Sequence, residues 1–142
     1  MTSKRETVLA ALFSALQGVA DAAVYRNESL GLRVPPAAGL VILFDGDPGE
    51  PEVLLSPLTY IYTHQAELDV IVTADEFKEG RLDEICGQVA AVLDADRTLG
   101  GLCDWIEASA PAPTEISIEA GATVHAAALT LTLIYATTNP LT

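Results

Sequence analysis

The segment Leu58–Ala74, which reads LTYIYTHQAELDVIVTA, has the most regular alternation of apolar and polar residues in this 142-residue chain and predicts its central strand. From Leu58 to Val72, most even-numbered positions are apolar and most odd-numbered positions are polar, which is the two-residue period of a strand with one buried face. At about 3.3 Å per residue the segment would extend over about 50 Å, well beyond the usual strand of about 3–10 residues. We therefore expect the strand either to bend near His64–Ala66 or to project beyond the body of the domain.

Two amphipathic helices are predicted, one near the start of the sequence and one after the long strand. Ser3 and Glu6 form an S-x-x-E capping box ahead of apolar residues at helical spacing. Lys4 and Arg5 followed by an apolar stretch also imitate a signal peptide, but the capping box favours a helix of the mature domain. A second stripe of apolar residues at helical spacing predicts the helix Arg81–Ala95.

Shorter strands complete the predicted sheet. We expect Leu40–Phe44 and Glu52–Leu55 to form a hairpin around the acidic turn Asp45–Pro51, and the alternating segment Thr123–Thr137 to pair with the long strand. The other predicted pieces are a strand at Ala23–Arg26, an exposed loop with two prolines at Asn27–Ala38, a strand at Leu102–Ala108 and an extended linker at Ala110–Pro113. This order of elements predicts a single α+β domain in two layers, with an antiparallel or mixed sheet and two helices packed on one face.

The composition excludes several classes of protein. Lys and Arg number 7 against 20 Asp and Glu, which gives a net charge of −13, so the chain is not built to grip nucleic acid through its phosphates. The longest apolar runs, Leu40–Phe44 and Val124–Leu129, are far shorter than the roughly 18 residues that predict a membrane-spanning helix. Cys86 and Cys103 have neither metal-ligand spacing nor the density of a disulfide framework, which predicts free thiols in a reducing cytoplasm.

The sequence lacks the motifs that are typical of enzymes. There is no G-x-S-x-G nucleophile motif and no G-x-x-x-x-G-K-[ST] phosphate loop. His64 and His125 both lie in predicted strands, where a histidine is more often a hydrogen-bonded or interfacial residue than a catalyst. Counted from Asp45, a calcium loop would have Glu50 in place of the required glycine and Ser56 in place of the bidentate glutamate. We therefore predict no catalytic residue, no cofactor and no metal.

Four segments carry a resemblance to a known family. Their order and the chain length resemble the tail terminator proteins of long-tailed phages, and most closely the version carried by gene transfer agents of alphaproteobacteria. The segments are KRETVLAALFSAL at Lys4–Leu16, VILFDGDPGEPEVLLSPLTYIYTH at Val41–His64, DRTLGGLCDWIE at Asp96–Glu107 and ALTLTLIYATTNPL at Ala128–Leu141.

The resemblance implies a structural protein rather than an enzyme. It implies a hexameric ring that caps the head-proximal end of the tail tube, ends tail growth and joins the tail to the head connector. The implied partners are other copies of the chain, the tail tube protein and a connector or stopper protein, while double-stranded DNA passes through the ring without specific binding. Assembly would take place in the bacterial cytoplasm and the protein would leave as part of the released particle, with no membrane involved.

We expect the ring contacts along the hairpin and the long strand, at Asp45–Leu55 and Leu58–His64, because exposed strand edges pair with partners and heterologous contacts close into rings. Three alternatives stay open: a monomer whose long strands bend, a head-completion or other connector protein, and a small enzyme with a pocket between helices and sheet. Six chains would carry −78, which predicts an acidic channel, although acidity also keeps a free subunit soluble. The predicted contact residues are Asp45, Asp47, Glu50, Leu58, Tyr60, Ile61, Tyr62 and His64.

Overall fold

The computed structural model describes residues 2–28, 38–114 and 124–142, which form two helices and one mixed seven-stranded sheet. Most of the predicted loop Asn27–Ala38, including its prolines, and Thr123 lie outside the described residues. The elements are α1 Lys4–Leu16, β1 Ala22–Arg26, β2 Gly39–Asp47, β3 Glu52–Leu55, β4 Leu58–Thr73, α2 Lys78–Ala95, β5 Trp105–Ala108, β6 Ala112–Thr114 and β7 Val124–Thr137.

The two longest strands, β4 and β7, form the centre of the sheet. They pair antiparallel without a break from Tyr60 opposite Thr137 to Thr73 opposite Val124, which confirms the pairing predicted from their alternation. The edge of β4 that faces away from β7 pairs with β3 near the start of β4 and with β2 further along. The edge of β7 that faces away from β4 pairs with β6 near the start of β7 and with β5 further along. β1 is parallel to β2 at one edge, so the sheet is mixed.

Both helices pack on the same face of the sheet, which confirms the two-layer α+β prediction. α1 begins after Ser3, whose side-chain oxygen accepts the main-chain N–H of Glu6 at 3.1 Å. One cluster of buried residues joins both helices to alternate positions of the central strands. From the helices it includes Val8, Leu9, Leu12, Leu16, Ile85, Val89 and Leu93, and from the strands Val41, Leu43, Leu68, Val70, Leu129, Leu131 and Leu133.

The predicted hairpin between Leu40–Phe44 and Glu52–Leu55 is wrong. β3 pairs with β4, not with β2, because the two-residue turn Ser56–Pro57 returns the chain directly alongside β3. β2 pairs with the same edge of β4 further along, at Gln65–Val72. The proline-rich connection between β2 and β3 therefore carries the chain along the edge of β4 instead of reversing it.

The predicted strand Leu102–Ala108 is also shorter than expected. Residues 102–104 belong to a turn in which Cys103 donates its main-chain N–H to the Thr98 carbonyl at 3.0 Å, and β5 begins only at Trp105. The predicted linker Ala110–Pro113 contains part of the short strand β6.

Candidate assembly surface

The hairpin Glu52–Ile61, which we call the arm, presents apolar side chains to solvent. It consists of β3, the turn and the first residues of β4. All four residues of β3 are exposed, and Leu55 retains 79% of its accessible surface. Val53, Leu54 and Leu58 are exposed to between 44% and 47%.

The arm carries exposed apolar side chains on both of its faces. Side chains of a strand point alternately to opposite faces, so Val53 and Leu55 lie on one face, while Leu54 lies on the other face together with Glu52 and Thr59. A strand with one face in water normally alternates apolar with polar residues. Exposed apolar side chains on both faces of a hairpin are therefore typical of an element that becomes covered when the protein assembles.

A β-bulge in β2 marks the base of the arm. The register between β2 and β4 shifts between Phe44 and Asp47, opposite the region where a bend in the long strand was predicted. β4 itself runs on as one strand, so the irregularity falls in its partner. Gly46 has a φ of +71° and lies so close to β4 that a Cβ atom there would meet the Gln65 carbonyl oxygen at 1.9 Å. Only glycine fits such a position.

His64 ties this bulge to the central strands. Its side chain is fully buried, and its Nε2 bonds to the main-chain carbonyl of Asp45 while its Nδ1 lies 2.8 Å from the Tyr135 hydroxyl. Because a carbonyl only accepts, Nε2 carries the proton and Nδ1 accepts from the hydroxyl. Burial raises the pKa of Tyr135 to about 12, so this hydroxyl keeps its proton at neutral pH.

A second set of contacts joins the helix layer to the same place. The Arg26 guanidinium binds both carboxylate oxygens of Glu6 at 2.8 Å and the carboxylate of Asp45 at 2.8 and 3.1 Å. The hydrogen bond from Arg26 lowers the pKa of Glu6. Burial alone would raise the pKa of Asp45, but hydrogen bonds from Arg26 and Asn27 hold it below its ordinary value. The start of α1, the end of β1 and the bulge are thus fixed to one another.

The predicted contact residues fall into two groups. Asp47, Glu50 and Leu58 are exposed, in the turn before β3 and in the arm. Tyr60 and Ile61 are half-buried on opposite faces of the arm.

The other three predicted contact residues point into the protomer or are paired within it. Tyr62 and His64 are buried in the core, with Tyr62 stacked against Tyr135 at 5.7 Å between ring centroids. Asp45 is paired with Arg26. These three residues support the arm from within, whereas the most exposed residue of the arm, Leu55, lies at the end of the predicted contact segment Asp45–Leu55.

The face of the sheet opposite the helices has a polar centre. The exposed side chains there include two carboxylates, Glu67 and Glu107, and a third, Asp69, is buried beside Glu67. Burial, together with the neighbouring Glu67, raises the pKa of Asp69 to about 7. The other polar side chains on this face are Thr63, Gln65, Thr130 and Thr132.

The structure offers little to metal or nucleophile chemistry. His64 is opposite Leu133 and His125 is opposite Val72, at separate places along the sheet. Among residues 2–28, 38–114 and 124–142, no group of three or more His, Cys, Asp or Glu side chains is placed to hold a metal ion. Both cysteines are free, and burial raises the thiol pKa of Cys86 and brings that of Cys103 to about 11, the opposite of an activated nucleophile.

Neither α1 nor α2 is long and apolar enough to cross a membrane.

No protein-family model matches this chain, and no curated protein matches it either. A functional proposal therefore depends on the sequence resemblance and on the surfaces described above.

Proposed function

We propose that this chain is a structural protein of a phage-like particle, six copies of which form a ring on the head-proximal end of the tail tube. The ring ends tail growth and joins the tail to the head connector. The observation that carries the proposal is the arm Glu52–Ile61, an exposed hairpin at the edge of the sheet with apolar side chains on both faces. The order of the four segments that resemble tail terminators supports it independently.

The arm provides enough apolar surface for a contact that is weak between two copies and strong in a closed ring. The exposed fractions of Val53, Leu54, Leu55 and Leu58 together equal about two fully exposed side chains. Burying that much aliphatic surface stabilises a contact by about 3–6 kcal/mol. Association costs several kcal/mol in lost freedom, and a closed ring has one more contact than the open chain of the same copies. This balance favours a complete ring over a pair.

A ring also requires each contact to form at one fixed angle. The base of the arm meets this requirement, since His64 bonds to both the bulge and β7 while Arg26 joins the bulge to α1. Small changes in arm direction would otherwise prevent closure after six copies.

The charge of the chain fits a passage for DNA. Six copies would carry −78, and the polar centre of the sheet face opposite the helices carries Glu67, Asp69 and Glu107, of which Glu107 lies 3.7 Å from the Arg97 guanidinium. Carboxylates facing a duplex repel it and keep it mobile over a range of about 8–10 Å at physiological ionic strength. We propose that this face lines the channel.

Tube growth in the presence of the protein tests the proposal. The tail tube protein of the same particle is polymerised with and without this chain, and tube lengths are measured by electron microscopy. We expect tubes that stop growing and carry a ring at one end. Unchanged tube growth would contradict the terminator role, and a ring that binds the connector protein alone would indicate a head-completion role instead.

A further inference from the structure

The edges of this sheet differ in how well they are protected against pairing with another strand. At β5, the Arg97 guanidinium donates to the Ile106 carbonyl at 2.8 Å and stacks on Trp105 at 5.2 Å from the ring centroid. A side chain in that position occupies the place of an added strand. β6 contains Pro113, which lacks a main-chain donor.

Where β2 continues past the end of β1, its edge is also protected against pairing with another strand. Asn27 donates its main-chain N–H to the Leu43 carbonyl at 2.7 Å, and its side-chain oxygen accepts the N–H of Asp45 at 3.0 Å. The main-chain groups of β2 at this point are therefore used within the protomer.

β3 has no comparable protection. Its four residues are all exposed, and within the described parts of the chain no side chain bonds to its main-chain groups. Leu55 opposite Leu58 closes the hairpin, so the alternation of an antiparallel pair turns the N–H and C=O groups of Glu52 and Leu54 away from β4. This is the arrangement with which a sheet edge accepts an extended segment.

The charge around β3 indicates what kind of segment fits. The sequence from Asp45 to His64 contains four carboxylates and no Lys or Arg. Asp45 is neutralised by Arg26, which leaves Asp47, Glu50 and Glu52 exposed beside the strand. A second β3 edge would bring its own Asp47, Glu50 and Glu52 against these carboxylates, so local electrostatics disfavour self-pairing at this edge.

We propose that the outer edge of β3 binds an extended segment of a different protein, in which a few alternating apolar residues are flanked by Lys or Arg. The main chain of the segment pairs with Glu52 and Leu54, its alternating apolar residues lie together on one face beside Val53 and Leu55, and its basic residues meet Glu50 and Glu52. The segment pairs with the main-chain edge of the arm, whereas the proposed ring contact covers the two faces of the arm, so the two contacts adjoin one another at these side chains.

A test strand fused to the C-terminus through a flexible linker tests the proposal even if the same strand binds weakly as a free peptide. β7 ends at Thr137, next to Tyr60 and two strands from β3, so a strand added to β3 would lie about 14 Å away at the usual strand spacing. A flexible linker of about ten Gly and Ser residues after Thr142 spans about 16–19 Å and gives a local concentration in the millimolar range. The linker carries Lys-Val-Thr-Val-Thr-Lys in one fusion and Glu-Val-Thr-Val-Thr-Glu in its matched control.

Hydrogen exchange at the Glu52 and Leu54 amides, measured by NMR on the full chain, is the readout. We expect exchange in the Lys fusion to slow by about tenfold or more relative to the unfused protein, and exchange in the Glu fusion to stay unchanged. Leu54→Pro, which removes one outward N–H, should abolish the protection of Glu52, whereas Leu54→Val should preserve it.

Three outcomes would overturn the proposal. Absence of protection in the Lys fusion would show that β3 does not accept a strand, and equal protection in both fusions would show that charge does not select it. Protection of Glu52 and Leu54 that grows with the concentration of the unfused protein would assign the edge to a second copy. Tube growth can still be arrested in any of these cases, so failure here is distinct from failure of the ring proposal.

Discussion

Replacing Gly46 by alanine tests how the arm is anchored. Gly46 has a φ of +71°, where a residue with a Cβ atom is less stable by about 1–2 kcal/mol. The new Cβ would also lie 1.9 Å from the Gln65 carbonyl oxygen and 2.8 Å from the Ala66 Cα, both main-chain atoms that cannot rotate away. Overpacking of this kind typically adds about 1–3 kcal/mol. We expect Gly46→Ala to lower the free energy of unfolding by about 2–5 kcal/mol.

Gly49→Ala is the matched control, because Gly49 has nearly the same φ, +70°, but its nearest atom to a new Cβ is 4.0 Å away. It should lose only the conformational part, about 1–2 kcal/mol. Urea unfolding followed by far-UV circular dichroism gives both values at constant m. If both variants lost the same free energy of unfolding, the bulge would not lie in close contact with β4, and it would not fix the position of the arm.

Two further predictions concern stability and the protected edge. The folded pKa of Asp69, about 7, lies above the unfolded value of 3.8, so its contribution to stability is present below pH 4 and is lost as pH rises towards 7. Asp69→Asn should therefore match the stability of the wild type near pH 4, and between pH 4 and 7 it should become more stable than the wild type by up to about 1.4 kcal/mol per pH unit. Urea titrations across this range measure the difference. A difference that does not change with pH would contradict a raised pKa of Asp69. Arg97→Ala removes the side chain that covers the Ile106 carbonyl, so we expect sedimentation to show species larger than the six-copy ring of the wild type, in amounts that grow with concentration. Arg97→Lys, which keeps the charge and a donor, should behave more like the wild type.

The sequence was sufficient to predict the layers of this fold. The alternation along Leu58–Ala74 and Thr123–Thr137 predicted the central pair of strands, and helical periodicity with the Ser3–Glu6 capping box predicted α1. These signals are local, so they can be read without knowing what packs against them.

Which strands pair with one another in the sheet could not be predicted in the same way. An apolar run such as Leu40–Phe44 is compatible with several neighbours, and nothing in Asp45–Pro51 shows that the chain continues along β4 instead of folding back. The role of His64 depends on Asp45 and Tyr135, which only the register brings within reach, although a histidine on the apolar face of a strand was a visible signal.

The contact segments stay a prediction, and the exposure of their side chains could not be read from the sequence. Val53, Leu54 and Leu55 lie within the segment Asp45–Leu55, but their exposure depends on which elements cover them in three dimensions. The pair Glu67 and Asp69 was likewise readable as two carboxylates on one face of β4, but its burial was not.

The mass of the protein in solution shows directly whether the arm joins copies of the chain into a ring. Native mass spectrometry at micromolar concentration should show a species of about six times 14.9 kDa, favoured by added salt because screening weakens repulsion between acidic copies. Leu55→Asp should leave a folded monomer, whereas Phe77→Asp, the same change of charge at an exposed residue just before α2, should leave the ring intact. A wild type that stays at 14.9 kDa with and without tail tube protein, or a six-copy species that survives Leu55→Asp, would contradict the account.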